Sequence, residues 1–380
     1  MSKETLTENK NIVDFEAFKQ EVLADFKLAN ISRETSLLGR REVLSGKAKF
    51  GIFGDGKELA QIALAKQFQN GDFRSGYYRD QTLMMAIDQL NVQQYFAGLY
   101  AHTDLLHEPQ SAGRQMGGHF ATRNLDDNGD WLNLMEQKNS SADISPTAGQ
   151  MPRLLGLAQA SKVYRENKEL SSLEKFKKFT NGGNEVAFGT IGDASTSEGP
   201  FWETINAAGV LQVPMVMSVW DDGFGISVPR SHQTTKDSIS EALAGMQRTK
   251  DKPGYEILVT KGWDYTDLCE TYEKAVKIAR EEHVPVLVHV KEVSQPQGHS
   301  TSGSHERYKD EARMQWEQDF DCIAKFKTWI LDFNADGLTI ASNEELETIQ
   351  KDAKKSVSAM KRSAWSAFTE DIKQDLADSL

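Results

Sequence analysis

The sequence predicts an α/β fold, a parallel sheet covered by helices on both faces with helical additions at its N- and C-terminal ends. Three observations carry that expectation. Apolar runs at residues 185–192, 214–220, 255–260 and 285–290 have strand length and little polar alternation, as strands buried on both faces do. Segments of helical period at residues 151–164, 201–211 and 268–280 are interleaved with these runs, and strand–helix–strand units of this size close as right-handed crossovers. Finally, 380 residues with 39% apolar and 26% charged side chains suffice for a large core and describe a globular chain, not a fibrous or disordered one.

The other elements follow in chain order. Residues 1–10 are polar and read as a frayed end. Phe15, Phe18, Val22, Leu23 and Phe26 recur at helical spacing, which predicts a helix over residues 13–30. Leu37-Leu38 with Arg40-Arg41 begins a second patch that runs to Gly46, residues 51–56 break the pattern, and residues 59–68 restore it. Residues 80–99 read as one helix, and the polar, glycine-bearing residues 102–143 as an irregular loop. Inside that loop Asn124-Leu125-Asp126-Asp127-Asn128-Gly129 imitates a calcium loop but has Met135 where the bidentate glutamate belongs. From Glu311 onward the chain is helical and charged. The expected division is an N-terminal helical extension (1–36), a central α/β domain (37–331) and a C-terminal helical segment or linker (332–380).

With 44 basic and 56 acidic residues the net charge is −12. Nucleic acid and anionic membranes both select a basic face, so neither is expected as a partner. Two cysteines, Cys269 and Cys322, make neither a disulfide framework nor a zinc site. The start Met1-Ser2-Lys3-Glu4 lacks the regions of a signal peptide, and no run has the length of a membrane span. The expected location is cytoplasmic.

In an open parallel sheet, ligands bind beyond the carboxyl ends of the strands. Two such ends stand out. Gly192-Asp193-Ala194-Ser195-Thr196-Ser197-Glu198-Gly199-Pro200 ends one strand and opens the next helix, with small residues for close approach and Pro200 suited to a first turn. A helix start of this kind takes phosphate, and Asp193 suits a hard cation. Trp220-Asp221-Asp222-Gly223-Phe224-Gly225 ends the following strand. Asp193 and Asp222 stand 29 residues apart, one helix plus one strand, so the two loops should lie side by side. Read blandly, Asp-Asp-Gly is ordinary turn chemistry and an acidic residue after a strand is a helix cap. The pairing at this spacing favours the cation reading.

That pair of loops resembles the thiamine diphosphate motif, which opens with Gly-Asp-Gly and closes with Asn-Asn. The chain more specifically resembles the α subunit of the decarboxylating first component of 2-oxoacid dehydrogenase complexes, of branched-chain or pyruvate type. Four further segments agree in order: Tyr77-Tyr78-Arg79-Asp80, Gly113-Arg114-Gln115-Met116 with His119, Ser145-Pro146-Thr147-Ala148-Gly149-Gln150-Met151-Pro152, and Gly298-His299-Ser300-Thr301-Ser302. The resemblance covers roughly residues 37–331 and implies a thiamine diphosphate-binding fold. It implies Asp193, Asp222 and the Phe224 carbonyl as Mg²⁺ ligands, and Arg79 with Tyr78 on the diphosphate. It further implies Ser145 and Thr147 on the aminopyrimidine, contacts from Gly192, Ala194, Ser195 and Ile226, and a catalytic His299 near the reacting carbon.

Departures from the family pattern are equally specific. Ala194 replaces a glycine, Asp221-Asp222 replaces Asn-Asn, and Trp220 stands where branched-chain members have an arginine. Ile144 and Gly149 replace hydroxyl-bearing residues of a potassium site. A second Gly-Asp-Gly at Gly54, Asp55 and Gly56 follows no clear strand and reads as a decoy, with Gly56-Lys57-Glu58 resembling the family's Gly-Gln-Glu.

In the family, a β subunit supplies the glutamate that activates the pyrimidine. The chain is therefore expected to be an α subunit, or the α half of a longer α–β polypeptide. It would act on a small 2-oxoacid and pass the acyl group to a lipoyl acyltransferase, as an α dimer or an α2β2 assembly. Two other readings compete: a Mg²⁺-dependent phosphohydrolase using Asp193 and Asp222, and a catalytically silent scaffold subunit.

Overall fold

A computed structural model describes residues 14–380; the polar stretch 1–10 lies outside the described residues. The chain opens with α1 (Phe15–Leu44), capped by the Asp14 side chain, followed by α2 (Glu58–Lys66) and the short strand β1 (Phe73–Ser75). α1 joins the helix expected over residues 13–30 to the second apolar patch. The polar residues between them do not break it, because they bond inward: Asn30 Nδ2 donates to the Phe26 carbonyl, Thr35 Oγ1 to the Ile31 carbonyl, and Gln81 Nε2 to Ser36 Oγ. The helix runs unbroken across residues 36 and 37.

The single helix expected over residues 80–99 is instead two, α3 (Gln81–Ala86) and α4 (Val92–Leu99). Asp88 turns into the left-handed region at φ 61°, and Asn91 starts α4 with a reciprocal capping box to Gln94. Local capping here overrides a continuous apolar period. Most of residues 102–143 is irregular, as expected, but the segment contains β2 (Asn139–Ser140), which extends the sheet beside β1.

The remaining elements are α5 (Met151–Glu166), α6 (Lys168–Ser172), β3 (Ala187–Gly192), α7 (Gly199–Leu211) and β4 (Met215–Trp220). A two-stranded hairpin of β5 (Phe224–Gly225) and β6 (Val228–Pro229) and the short α8 (Ile239–Ala242) come next. They are followed by β7 (Glu256–Lys261), α9 (Tyr265–Lys277) and β8 (Val286–Lys291), then α10 (Glu311–Asp319), α11 (Cys322–Asp332) and α12 (Asn343–Asp378). Proline in the first turn helps start both α5 and α7.

Six strands form one parallel sheet in the order β2-β1-β3-β4-β8-β7. β4 is buried along its whole length, which explains its uninterrupted apolar run. Its side chains alternate between two cores. Val216 and Trp220 pack on the face covered by α2 and α9, while Met215, Met217 and Val219 pack on the face covered by α5 and α7. β3 and β4 pair in register from Ala187 with Met215 to Gly192 with Trp220. Their carboxyl ends are therefore level, and the two loops implicated by the sequence leave the sheet side by side. Among the described residues no helix is long and apolar enough to cross a membrane.

Candidate functional site

The loops after β1, β3, β4 and β8 surround a cavity of about 420 Å³ at the carboxyl edge of the sheet. Asp193 caps the end of β3, and its backbone N–H donates to the Trp220 carbonyl at 3.1 Å, which ties the two strand ends together. Its carboxylate is 3% exposed, and Oδ2 has no hydrogen-bond partner in the protein. Burial pushes this carboxyl well above the usual carboxylate range, and the charges of Asp222 and Asp221 push it the same way.

The neighbouring aspartates have different tasks. Asp221 points away from the cavity into a buried network: His289 Nε2 lies 2.8 Å from Oδ2, Arg230 pairs with the same oxygen, and the Gly223 N–H donates to Oδ1. Burial opposes ionisation of Asp221, but His289 and Arg230 outweigh it and hold its pKa below the ordinary value. Asp222 lines the cavity, with Oδ1 accepting the Phe224 N–H at 3.1 Å. Arg313 Nη2 anchors the backbone of this turn by donating to the Asp222 carbonyl at 2.7 Å.

Arg79 and Tyr78 reach the cavity from the turn between β1 and α3. That turn rests on Arg74, which is fully buried and uses all five N–H donors: on Asp80, on Ser140, on the Tyr77 carbonyl and twice on Asp143. Asp80 also accepts from the Tyr77 N–H and from Thr190 Oγ1 on β3. Only glycine fits at Gly76, since a Cβ there would collide with the Asp80 carboxylate and with Thr190. Arg79 donates to the Phe53 carbonyl at 2.7 Å and to the His299 carbonyl at 3.0 Å, so it joins the loop after β8 to the site.

His299 lines the cavity, and burial lowers its pKa to about 4, with Arg79 contributing in the same direction. At neutral pH it is an uncharged imidazole able to donate or accept a proton. Its loop is held beyond the imidazole, where the Thr301 N–H donates to the Gly51 carbonyl and Arg40 Nη1 to the Ser300 carbonyl.

Thr147, Gly192, Ala194 and Ser195 also line the cavity, as do Phe224 and Ile226. Ser145 does not line it. Its hydroxyl lies 3.1 Å from Nε2 of His119, whose Nδ1 faces the Met116 carbonyl at 3.0 Å. The sequence reading assigned no site role to seven residues that line the cavity, Lys57, Tyr77, Glu198, Trp220, Gly225, Val228 and Gln233. Lys57 is 1% exposed, and its Nζ lies 3.3 Å from Asp222 Oδ2 and 2.6 Å from Gln295 Oε1. Burial lowers its pKa from the ordinary lysine value, with Asp222 pulling the other way. Among the described residues no strand precedes Gly54, and the second Gly-Asp-Gly follows a helix and not a strand end, yet the residue after it enters the site.

The donor set fits a divalent cation carrying a diphosphate. Two carboxylates face one cavity, one of them with an unmatched buried oxygen, and a bound cation would reverse the shift of Asp193. Tyr77 and Trp220 are among the residues lining the same cavity, and their Tyr77 Oη and Trp220 Nε1 atoms are buried without a hydrogen-bond partner in the protein. Among the described residues no group of three or more His, Cys, Asp or Glu side chains is placed to hold a metal. A cation here would need backbone, phosphate and water oxygens as well, which is the usual coordination of Mg²⁺.

The model of the dehydrogenase E1 component family matches residues 31–373. The chain belongs to that family. Relatives of this E1 component chain include the 2-oxoisovalerate dehydrogenase subunit alpha of Bacillus subtilis, 27% identical over 64% of the chain. The mitochondrial 2-oxoisovalerate dehydrogenase subunits alpha of Homo sapiens and Caenorhabditis elegans are 24% and 27% identical over 82% and 75% of it. The matches span 62%, 61% and 56% of the lengths of these three relatives. The family resemblance drawn from the five motifs is borne out.

Proposed function

We propose that this chain is the α part of a branched-chain type 2-oxoacid dehydrogenase first component, holding the diphosphate–Mg²⁺ side of thiamine diphosphate. The observation that carries this reading is the cavity itself. Asp193 and Asp222, 29 residues apart in sequence, meet there with Arg79 and His299 among buried polar atoms that lack partners. Asp193, Asp222 and the Phe224 carbonyl would hold the metal, and Arg79 and Tyr78 would face the phosphates.

Thiamine diphosphate held there would supply a nucleophilic thiazolium carbon and an electron sink for the decarboxylation of a 2-oxoacid. The chain's own residues prepare the ground for that chemistry. The Arg79 bond to the His299 carbonyl fixes the imidazole loop, and the neutral His299 ring could move a proton beside the reacting carbon. The carboxylate that activates the pyrimidine, and the opposite wall of the site, would come from a β subunit or β half, with a lipoyl acyltransferase receiving the acyl group.

The test is titration of thiamine diphosphate and Mg²⁺ into the assembled protein by calorimetry, then reduction of an artificial electron acceptor with 2-oxoisovalerate or pyruvate. Metal-dependent cofactor binding and preference for the branched substrate are expected, with no turnover by the 380-residue chain alone. Robust turnover by that chain without a partner would overturn the shared-site reading. Phosphatase activity without thiamine would favour the phosphohydrolase.

A further inference from the structure

We infer that Lys57 is a binding residue of this site: its buried ammonium holds Asp222 in place when no metal is bound and becomes a cationic contact to the diphosphate when one is. This deepens the thiamine diphosphate reading and rests on it.

The position is a built one. Gly56 takes φ +89°, and a Cβ there would collide with the Ser294 carbonyl, so the turn before α2 is pressed against the loop after β8. Glu58 locks the same turn by accepting the Gly56 N–H at 2.8 Å and pairing with Arg33. From this clamped backbone Lys57 reaches Asp222, Gln295 Oε1 and, at 3.4 Å, the Ser294 carbonyl. These partners satisfy all three N–H donors of an ammonium. A lysine that is 1% exposed, among loops distant in sequence, is not a solvated surface charge.

The same cavity is lined by Arg79 as well as Lys57, beside the two carboxylates Asp193 and Asp222. An occupant that pairs a cation with an anion matches this mixture of charges. A cation entering beside Asp222 would compete with Lys57 for the carboxylate, and an anion arriving with that cation would offer the freed ammonium a new partner. Lys57 therefore acts with opposite sign on the two ligands. It opposes metal binding alone and favours diphosphate binding. A purely structural lysine would not split in this way.

The experiment compares the assembled wild-type protein with Lys57→Gln, reading Mn²⁺ binding alone by electron paramagnetic resonance and binding of inorganic diphosphate at saturating Mn²⁺ by calorimetry. Lys57→Gln should bind Mn²⁺ alone about threefold more tightly, because a nearby positive charge is gone. It should bind diphosphate at least about tenfold more weakly, because a charged hydrogen bond is lost. Changes of the same sign for both ligands, or no change in either, overturn the inference. If circular dichroism shows that Lys57→Gln does not fold, Lys57→Arg decides: diphosphate affinity within about threefold of wild type supports a cationic contact, and a tenfold loss overturns it. Wild-type protein that binds diphosphate but not thiamine diphosphate would sink the cofactor reading while leaving the Lys57 measurement valid.

Discussion

Replacing Arg74 by methionine would strip the charge partner from two buried carboxylates while roughly keeping the side-chain volume. Arg74, Asp80 and Asp143 are all fully buried on their side chains. Asp80 would keep its bonds from Thr190 and the Tyr77 N–H, and Asp143 would keep the Phe120 N–H at 2.9 Å. Breaking a buried pair by removing one partner costs about 3–5 kcal/mol. Protonation limits the loss: neutralising a carboxyl of ordinary pKa at pH 7 costs about 4 kcal/mol. The expected destabilisation is therefore about 4 kcal/mol at neutral pH. Its pH dependence has a definite sign. Burial already raises the Asp80 carboxyl and Arg74 pulls it back down, so removing Arg74 lets it rise further and the penalty is larger at neutral pH than in mild acid. It shrinks on acidification by at most about 1.4 kcal/mol per pH unit for that carboxyl. Urea unfolding of wild type and variant between pH 7 and 5 measures both quantities. A loss below about 1 kcal/mol at pH 7, or one that does not fall on acidification, would refute the reasoning.

Four further substitutions have expected outcomes. Asp193→Ala should weaken metal-dependent thiamine diphosphate binding at least about tenfold, roughly 1.4 kcal/mol, yet raise the melting temperature of ligand-free protein by removing a buried oxygen without a partner. Asp222→Asn should be milder, since its amide oxygen still coordinates; unchanged calorimetry in Asp193→Ala would remove the metal role. His299→Ala should lower decarboxylation and acyl transfer far more than cofactor affinity. Because folding lowers the His299 pKa to about 4, the stability tied to the neutral ring is full above about pH 6.5 and lost as pH falls toward 4. The alanine variant should lack that part of the acid loss in pH-dependent melts. Gly56→Ala should cost more than about 1 kcal/mol in urea unfolding, from its positive φ and the collision with Ser294; a neutral effect would mean that the turn adapts.

The central strands were legible because burial on both faces writes itself as unbroken apolar runs, and the spacing of Asp193 and Asp222 was legible because β3 and β4 are neighbours joined by a single helix. β1 and β2, of three and two residues, were not. Strands that short carry no periodicity, and their polar Arg74 and Asn139 belong in the sheet only because of partners elsewhere in the chain. The break at Asp88 was hidden because apolar spacing continues on both sides of it. Lys57 was the hardest to see. A lysine after Gly-Asp-Gly reads as a solvated turn, and its burial depends on Asp222, Ser294 and Gln295, which no local pattern announces.

Arg313, on α10, fastens the carbonyl of Asp222, so the pocket draws on segments from Lys57 to Arg313. On the ribosome, a chain built this way would offer the proposed diphosphate no complete site until α10 has emerged and folded back. Most of the sheet must first be held by hydrophobic packing and the buried Arg74 cluster. A cofactor held there would then act only as a late lock on an assembled chain, and early-emerging segments would have to remain soluble without its help.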